Sequence, residues 1–171
     1  RSLDLRVPDD ALGRSKCLTG LGTGNYERFL EARAAGRPAD ELTRHLAESA
    51  QYYEQGLDLL PDTAVTDRGI AHNQLGIVYT AAGDIDHALP HYQQDIRYCE
   101  QADDLYGAGQ TRFNAGVALL KAGRLADARA YAEAALANFR TFGDRAADDI
   151  QDTESLIAGI DQAAAQPGGG E

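Results

Sequence analysis

The sequence contains no methionine and no tryptophan, and aromatic residues make up only 7% of its 171 residues. Runs in which β-branched and polar residues alternate are also missing, so nothing in the sequence predicts a β-sheet. What it has instead is abundant alanine. Cores built from alanine, leucine and tyrosine suit closely packed helices, because small side chains let helix axes approach each other. The sequence therefore predicts an all-α fold.

Basic residues are scarce, and the net charge is −11. Nucleic-acid binding requires clusters of Lys and Arg that displace counterions from phosphates, and the sequence contains no such cluster. The same charge disfavours anionic membrane surfaces, and no apolar run approaches the roughly 20 residues that span a bilayer. We therefore expect neither nucleic acid nor membrane as a partner, and we expect a neutral or basic protein or peptide instead.

Cysteine is limited to Cys17 and Cys99, which are too few for a disulfide framework. We predict two free thiols, as is usual in a reducing cytoplasm. The sequence begins with Arg1 and not with methionine, so we expect it to be a piece of a longer polypeptide.

An internal repeat with a period of 40 residues runs through the middle of the sequence. Residues 70–76 align without a gap with residues 110–116, and Gly83 aligns with Gly123 in the same register. Each unit reads as two helices, because a glycine after an apolar stretch is typical of a left-handed helix end. Asp84 then stands where a side chain caps the next helix.

Each unit also has a glycine inside its first helix, Gly76 in one and Gly116 in the next. A glycine there costs about 1 kcal/mol relative to alanine. We interpret the two glycines as points of close approach, where the partner helix meets them through Ala88 and Ala128.

The pattern of these units resembles the tetratricopeptide repeat. The matching residues of the first unit are Leu75, Gly76, Tyr79, Gly83, Ala88 and Tyr92, and those of the next are Ala115, Gly116, Leu119, Gly123, Ala128, Ala132 and Ala135. The usual repeat has about 34 residues, and the longer period is similar to the extended repeats of kinesin light chain and of bacterial STAND-type signalling ATPases. The resemblance implies a right-handed α-solenoid of about three antiparallel helical hairpins with a C-terminal capping helix.

The predicted repeat domain covers residues 1–166. Its units span about residues 10–61, 62–103 and 104–143, and the capping helix spans residues 144–166. The first unit contains an insertion around residues 29–40, for which we predict a longer first helix, a turn, and a second helix over about residues 39–60. Residues 167–171 are predicted to be a flexible tail.

The sequence gives little evidence for a catalytic or metal site. His87, His91 and Asp95 lie one turn apart on one helix, a spacing that suits zinc, but no third strong ligand accompanies them. We interpret this row as a solvated helix face. No nucleophile motif or phosphate-binding loop is present. The sequence therefore predicts a protein that is not an enzyme and that holds no metal or cofactor.

Two charged residues occupy places where the family prefers small or apolar side chains. These residues are Asp95 and Arg112, and both fall at the seam between adjacent units. Because an unpaired buried charge is costly, we predict that the two side chains pair across the seam.

The resemblance also implies a groove lined by the first helices of the units. The inward-facing positions correspond to Asn73, Gln74, Ile77, Gln110, Phe113, Asn114, Val117 and Lys121, with Ile70 on the same face. Amide side chains both donate and accept hydrogen bonds, so they suit a peptide backbone. Phe113 would supply an apolar anchor.

From these features we expect a non-catalytic module that binds a protein or peptide, acting as the sensor or scaffold part of a larger cytoplasmic signalling protein of bacteria. The alternative is a structural array that self-associates into a homo-oligomer or packs on its own parent enzyme.

Overall fold

The computed structural model describes residues 10–165, so the predicted tail at residues 167–171 lies outside the described residues. Throughout that range the regular structure is helical, which confirms the all-α prediction. The seven α-helices are α1 Ala11–Ala34, α2 Ala39–Asp58, α3 Val65–Ala81, α4 Ile85–Gln101, α5 Leu105–Lys121, α6 Leu125–Arg140 and α7 Ala147–Ala165, and a short 3₁₀ helix, Gly143–Ala146, precedes α7. None of these helices is both long and apolar enough to cross a membrane.

Consecutive helices pack as hairpins, α1 with α2, α3 with α4, and α5 with α6, and α7 packs on α6. In addition, α3 contacts α5 and α5 contacts α7, whereas within the described part of the chain α4 and α6 do not approach as closely. The chain is therefore an all-α solenoid whose later odd-numbered helices form the tighter, inner layer.

The first hairpin is longer than the others. Its α1 has 24 residues and its α2 has 20, against 16 or 17 in each helix of the next two hairpins. Gly36 closes the hairpin with a φ of 63°, a conformation that glycine adopts without strain. This confirms the prediction of a longer first helix, a turn and a second helix, and shows that the insertion lengthens both helices.

In the second and third hairpins the turn glycines recur with the 40-residue period, whereas the helix cap after them does not. Gly83 and Gly123 have φ values of 79° and 73°, so both end their helices in the predicted left-handed conformation. The Asp84 carboxylate accepts a hydrogen bond from the His87 backbone N–H at 3.2 Å, which confirms the predicted cap. Arg124 takes the place of Asp84 in the next unit, and α6 has no side-chain cap.

Glycines in the first helices face the second helices of their own hairpins. A Cβ on Gly76 would lie 2.6 Å from ring atoms of Tyr92, and a Cβ on Gly22 would lie 3.0 Å from the Tyr53 ring. Both tyrosines are buried, with 2% and 1% of their surface exposed. The close approach predicted at Gly76 is therefore present, but the ring of Tyr92 fills the space there and not Ala88.

In the third hairpin a smaller residue replaces the tyrosine. Ala132 occupies the place of Tyr92. A Cβ on Gly116 would lie 3.3 Å from the Leu156 side chain of α7, 3.4 Å from the Ala128 carbonyl oxygen and 3.5 Å from the Ala132 nitrogen. The contact predicted between Gly116 and Ala128 is confirmed. Without the ring, Gly116 of α5 lies against the backbone of α6 and the Leu156 side chain of α7.

We expect Gly76→Ala to destabilise the protein by about 1–3 kcal/mol, because the new methyl group overlaps the Tyr92 ring and the core must shift. The matched control is Gly20→Ala within α1, where an added Cβ meets nothing within 4 Å. That change should stabilise by about 0.5–1 kcal/mol, since alanine is the better helix former. Urea unfolding of both variants measures the difference, and equal stabilities would show that the ring does not set the spacing.

Candidate functional site

A cavity of about 440 Å³, here called the groove cavity, opens between α3 and α5. Its lining combines amide, apolar and acidic side chains. The lining residues are Ile70, Asn73, Gln74, Asp95, Cys99, Asp104, Gly107, Gln110, Thr111, Phe113, Asn114, Phe139 and Asp149. They come from α3 to α7, so five consecutive helices and the loop before α5 build one surface.

Five of the eight groove residues predicted from the sequence line this cavity, namely Asn73, Gln74, Gln110, Phe113 and Asn114. The other three, Ile77, Val117 and Lys121, are not among its lining residues. Ile77 packs against the buried cluster around Tyr92. Lys121 is the last residue of α5, whereas the part of α5 that lines the cavity ends at Asn114.

Two aspartates of the lining were not among the predicted groove residues. Asp104 caps α5 by accepting a hydrogen bond from the Gly107 N–H at 2.8 Å. Asp149 in α7 accepts a hydrogen bond from the Tyr106 hydroxyl at 2.7 Å. The spacing of Asp104 and Gly107 could have indicated a cap, but only the packing of α7 brings Asp149 to the cavity.

Asp95 lies at the wall of the cavity with 4% of its surface exposed. Its Oδ2 accepts hydrogen bonds from the Thr111 hydroxyl at 2.5 Å and from the Asn73 amide at 2.8 Å. Burial raises the pKa of this carboxyl above its usual value, and the hydrogen bonds from Thr111, Asn73 and Cys99 oppose that rise. Asp95 therefore ties α3, α4 and α5 together without a countercharge.

The predicted pair between Asp95 and Arg112 is wrong. Arg112 forms an ion pair with Glu100 and donates a hydrogen bond to the Asn138 side chain at 2.7 Å. Both residues do lie at the seam, but consecutive residues of a helix point in different directions. Thr111 faces Asp95, so its neighbour Arg112 faces the ends of α4 and α6.

The electrostatic character of the groove cavity is acidic. Three carboxylates line it, and no Lys or Arg is among the described residues of its lining. Burial raises the pKa of the Cys99 thiol to about 12, and the nearby charges of Asp95 and Asp104 add to the effect. A thiol with such a pKa is not a nucleophile at neutral pH.

The sequence predicted a solvated helix face for the row of His87, His91 and Asp95 on α4, but only His87 is exposed. His87 is exposed and bonds Asp84 at 2.7 Å. His91 is half-buried, and its Nδ1 lies 2.9 Å from the Nδ1 of His72 on α3, so the N–H of one ring donates a hydrogen bond to the other ring. Across residues 10–165 no group of three His, Cys, Asp or Glu side chains is arranged to hold a metal ion.

The geometry described above is that of a helical-hairpin repeat protein with a polar groove. Residues 67–141 match the family described as "Tetratricopeptide repeat". This stretch covers α3 to α6 almost completely, so the match supports the tetratricopeptide repeat for these two hairpins. A comparison with curated proteins gives no match.

We expect Asn73→Ala to cost about 1–3 kcal/mol of stability, because it removes the hydrogen bonds to Thr111 and to the buried Asp95. Asn114 is the matched control, since its amide makes no hydrogen bond to another described side chain. Asn114→Ala should stay within about 0.5 kcal/mol of the wild type. Thermal unfolding measures both, and an unchanged midpoint for Asn73→Ala would contradict the structural role.

The histidine pair predicts a loss of stability in acid. Burial lowers the pKa of His72 to about 4 and lowers the pKa of His91. As pH falls below about 6.5 the unfolded chain takes up protons before the folded chain does, so the free energy of unfolding decreases until about pH 4. We expect about 1–2 kcal/mol from the His72 ring, which keeps partial contact with water.

Urea unfolding of His72→Gln between pH 7 and pH 4 measures this effect. The variant should lose less stability over that range than the wild type. The control is Gln74→Ala on another face of α3, which should follow the wild type. A His72→Gln variant with the wild-type pH dependence would refute the assignment.

Proposed function

We infer that this chain takes part in protein–protein interaction, which is the general role of tetratricopeptide repeats. We propose that this chain is a non-catalytic scaffold whose groove cavity binds a neutral or basic segment of a protein partner. The segment contacts the amides of Gln74, Gln110 and Asn114 and packs an apolar side chain on Phe113. Ile77, Val117 and Lys121 extend the same surface toward the other end of α5.

The observation that carries this proposal is the composition of the groove cavity. Amides that accept and donate, an aromatic anchor and three carboxylates share one surface, with no basic residue among the described lining residues. Ile70 adds to the apolar part, since half of its surface is exposed. A surface of this kind favours a partner that supplies backbone hydrogen bonds and positive charge.

The free cysteines support a reducing compartment, so we place the protein in the cytoplasm. Cys17 is exposed and Cys99 is half-buried, and neither forms a disulfide within the described residues. The role in bacterial signalling rests on the resemblance of the extended repeats to sensor arrays.

The proposed attraction between the carboxylates of the groove cavity and a basic partner can be tested with variants that keep the fold. In Asp104→Asn the side chain still caps α5, because asparagine caps a helix as well as aspartate does. Asp149→Asn likewise keeps an acceptor for Tyr106. Peptides selected from a random library on the wild-type chain should be enriched in Arg and Lys. The double Asn variant should bind a selected basic peptide about tenfold more weakly, and added salt should weaken wild-type binding similarly.

The amide and aromatic contacts are tested with the same peptide. Gln110→Ala, Asn114→Ala and Phe113→Ala should each reduce affinity, whereas Gln51→Ala, an exposed amide on α2, is the control and should not. Asn73 is not changed, because its loss would remove the hydrogen bonds to Asp95 and Thr111 in the wall of the cavity. If the groove variants bind as well as the wild type, the groove is not the site. A concentration-dependent dimer in light scattering that Phe113→Ala abolishes would favour self-association instead.

A further inference from the structure

A second cavity lies under the long first hairpin, and the groove proposal makes no use of it. At about 1.5 Å per residue α1 is roughly 36 Å long and α2 roughly 30 Å, whereas α3 and α4 are roughly 25 Å. The first hairpin therefore extends past the turn between α3 and α4. The inner face of the extension has no full-length partner helix to cover it, and an opening of about 450 Å³ is left there.

The walls of this cavity are mostly apolar. Phe29, Leu42 and Leu46 come from the first hairpin, and Val78 and Tyr79 come from α3. Phe29, Leu46 and Val78 also belong to the buried core, so the cavity opens directly onto the packed interior of the hairpins. A volume of this size is within the range of about 300–1,000 Å³ that small-molecule sites occupy.

One cation stands in the lining. The Arg33 guanidinium lies over the Phe29 ring, 5.2 Å from its centroid, and makes no ion pair with a described carboxylate. The only acidic residue among the described lining residues is Asp84, which is engaged elsewhere, since it bonds both the backbone N–H and the ring of His87. An apolar cavity with one available guanidinium suits a ligand that has an apolar body and one anionic end.

We propose that this cavity binds a free aliphatic carboxylate of medium chain length. The carboxylate pairs with Arg33 and the hydrocarbon chain lies against Leu42, Leu46 and Val78. An anion is favoured over a neutral apolar molecule because the exposed guanidinium borders the apolar lining and makes no ion pair with a described carboxylate. The site is separate from the groove cavity, with which it shares no lining residue.

The test uses decanoate as the probe and decanol as its uncharged match, with binding followed by calorimetry on the complete chain. The wild type should bind one decanoate. Arg33→Met keeps an apolar stem but loses the charge, and it should bind decanoate about tenfold more weakly, which is the effect of losing one charge-assisted contact. Decanol should bind the wild type and Arg33→Met equally.

Two matched controls separate the site from general surface effects. Arg44→Met removes another exposed arginine, on α2 but outside the lining, and should leave decanoate binding unchanged. Ala47→Leu fills the cavity and should abolish binding, whereas Ala137→Leu on the exposed face of α6 should not.

Absence of saturable decanoate binding by the wild type would overturn the proposal. Equal affinities of the wild type and Arg33→Met would overturn the role of the guanidinium and leave a site for neutral apolar molecules. The double Asn variant of the groove cavity should bind decanoate normally, so the two proposals fail or succeed independently.

Discussion

The close contact between the two helices of each hairpin is the constraint on which the other features depend. A glycine of the first helix lies against a buried tyrosine ring in the first two hairpins, at Gly22 and Gly76. In the third hairpin Gly116 lies against the α6 backbone and the Leu156 side chain. Because a Cβ at Gly76 or Gly22 would crowd the tyrosine ring, these two glycines allow the close spacing of the helices in their hairpins.

The seam between hairpins is organised by hydrogen bonds and not by an ion pair. Asp95 accepts from Thr111 and Asn73 and so joins three helices. This network uses the amide hydrogens of Asn73, a residue that lines the groove cavity, for structural contacts. The wall of the groove cavity and the interior of the solenoid thus share residues, whereas Asn114 of the next unit lines the cavity without a hydrogen bond to another described side chain.

The first hairpin departs from the repeat, and its departure has a geometric consequence. In the first hairpin α1 packs on α2 through a glycine against a buried tyrosine ring, as α3 packs on α4 in the second. The added length, however, has no counterpart in α3 and α4, so apolar side chains near Phe29 and Leu46 line an opening. An insertion in a repeat array creates a surface that a regular array does not have.

The sequence by itself determined the helical class, the 40-residue register, the turn glycines and the cap at Asp84, because these depend on local backbone preferences and on apolar periodicity. It also placed five lining residues of the groove cavity through that register. Only the tertiary structure decided that Asp95 bonds Thr111 while Arg112 bonds Glu100, and that Asp149 joins the cavity. Those outcomes depend on how helices far apart in the chain rotate and pack, and a single sequence period does not encode that rotation.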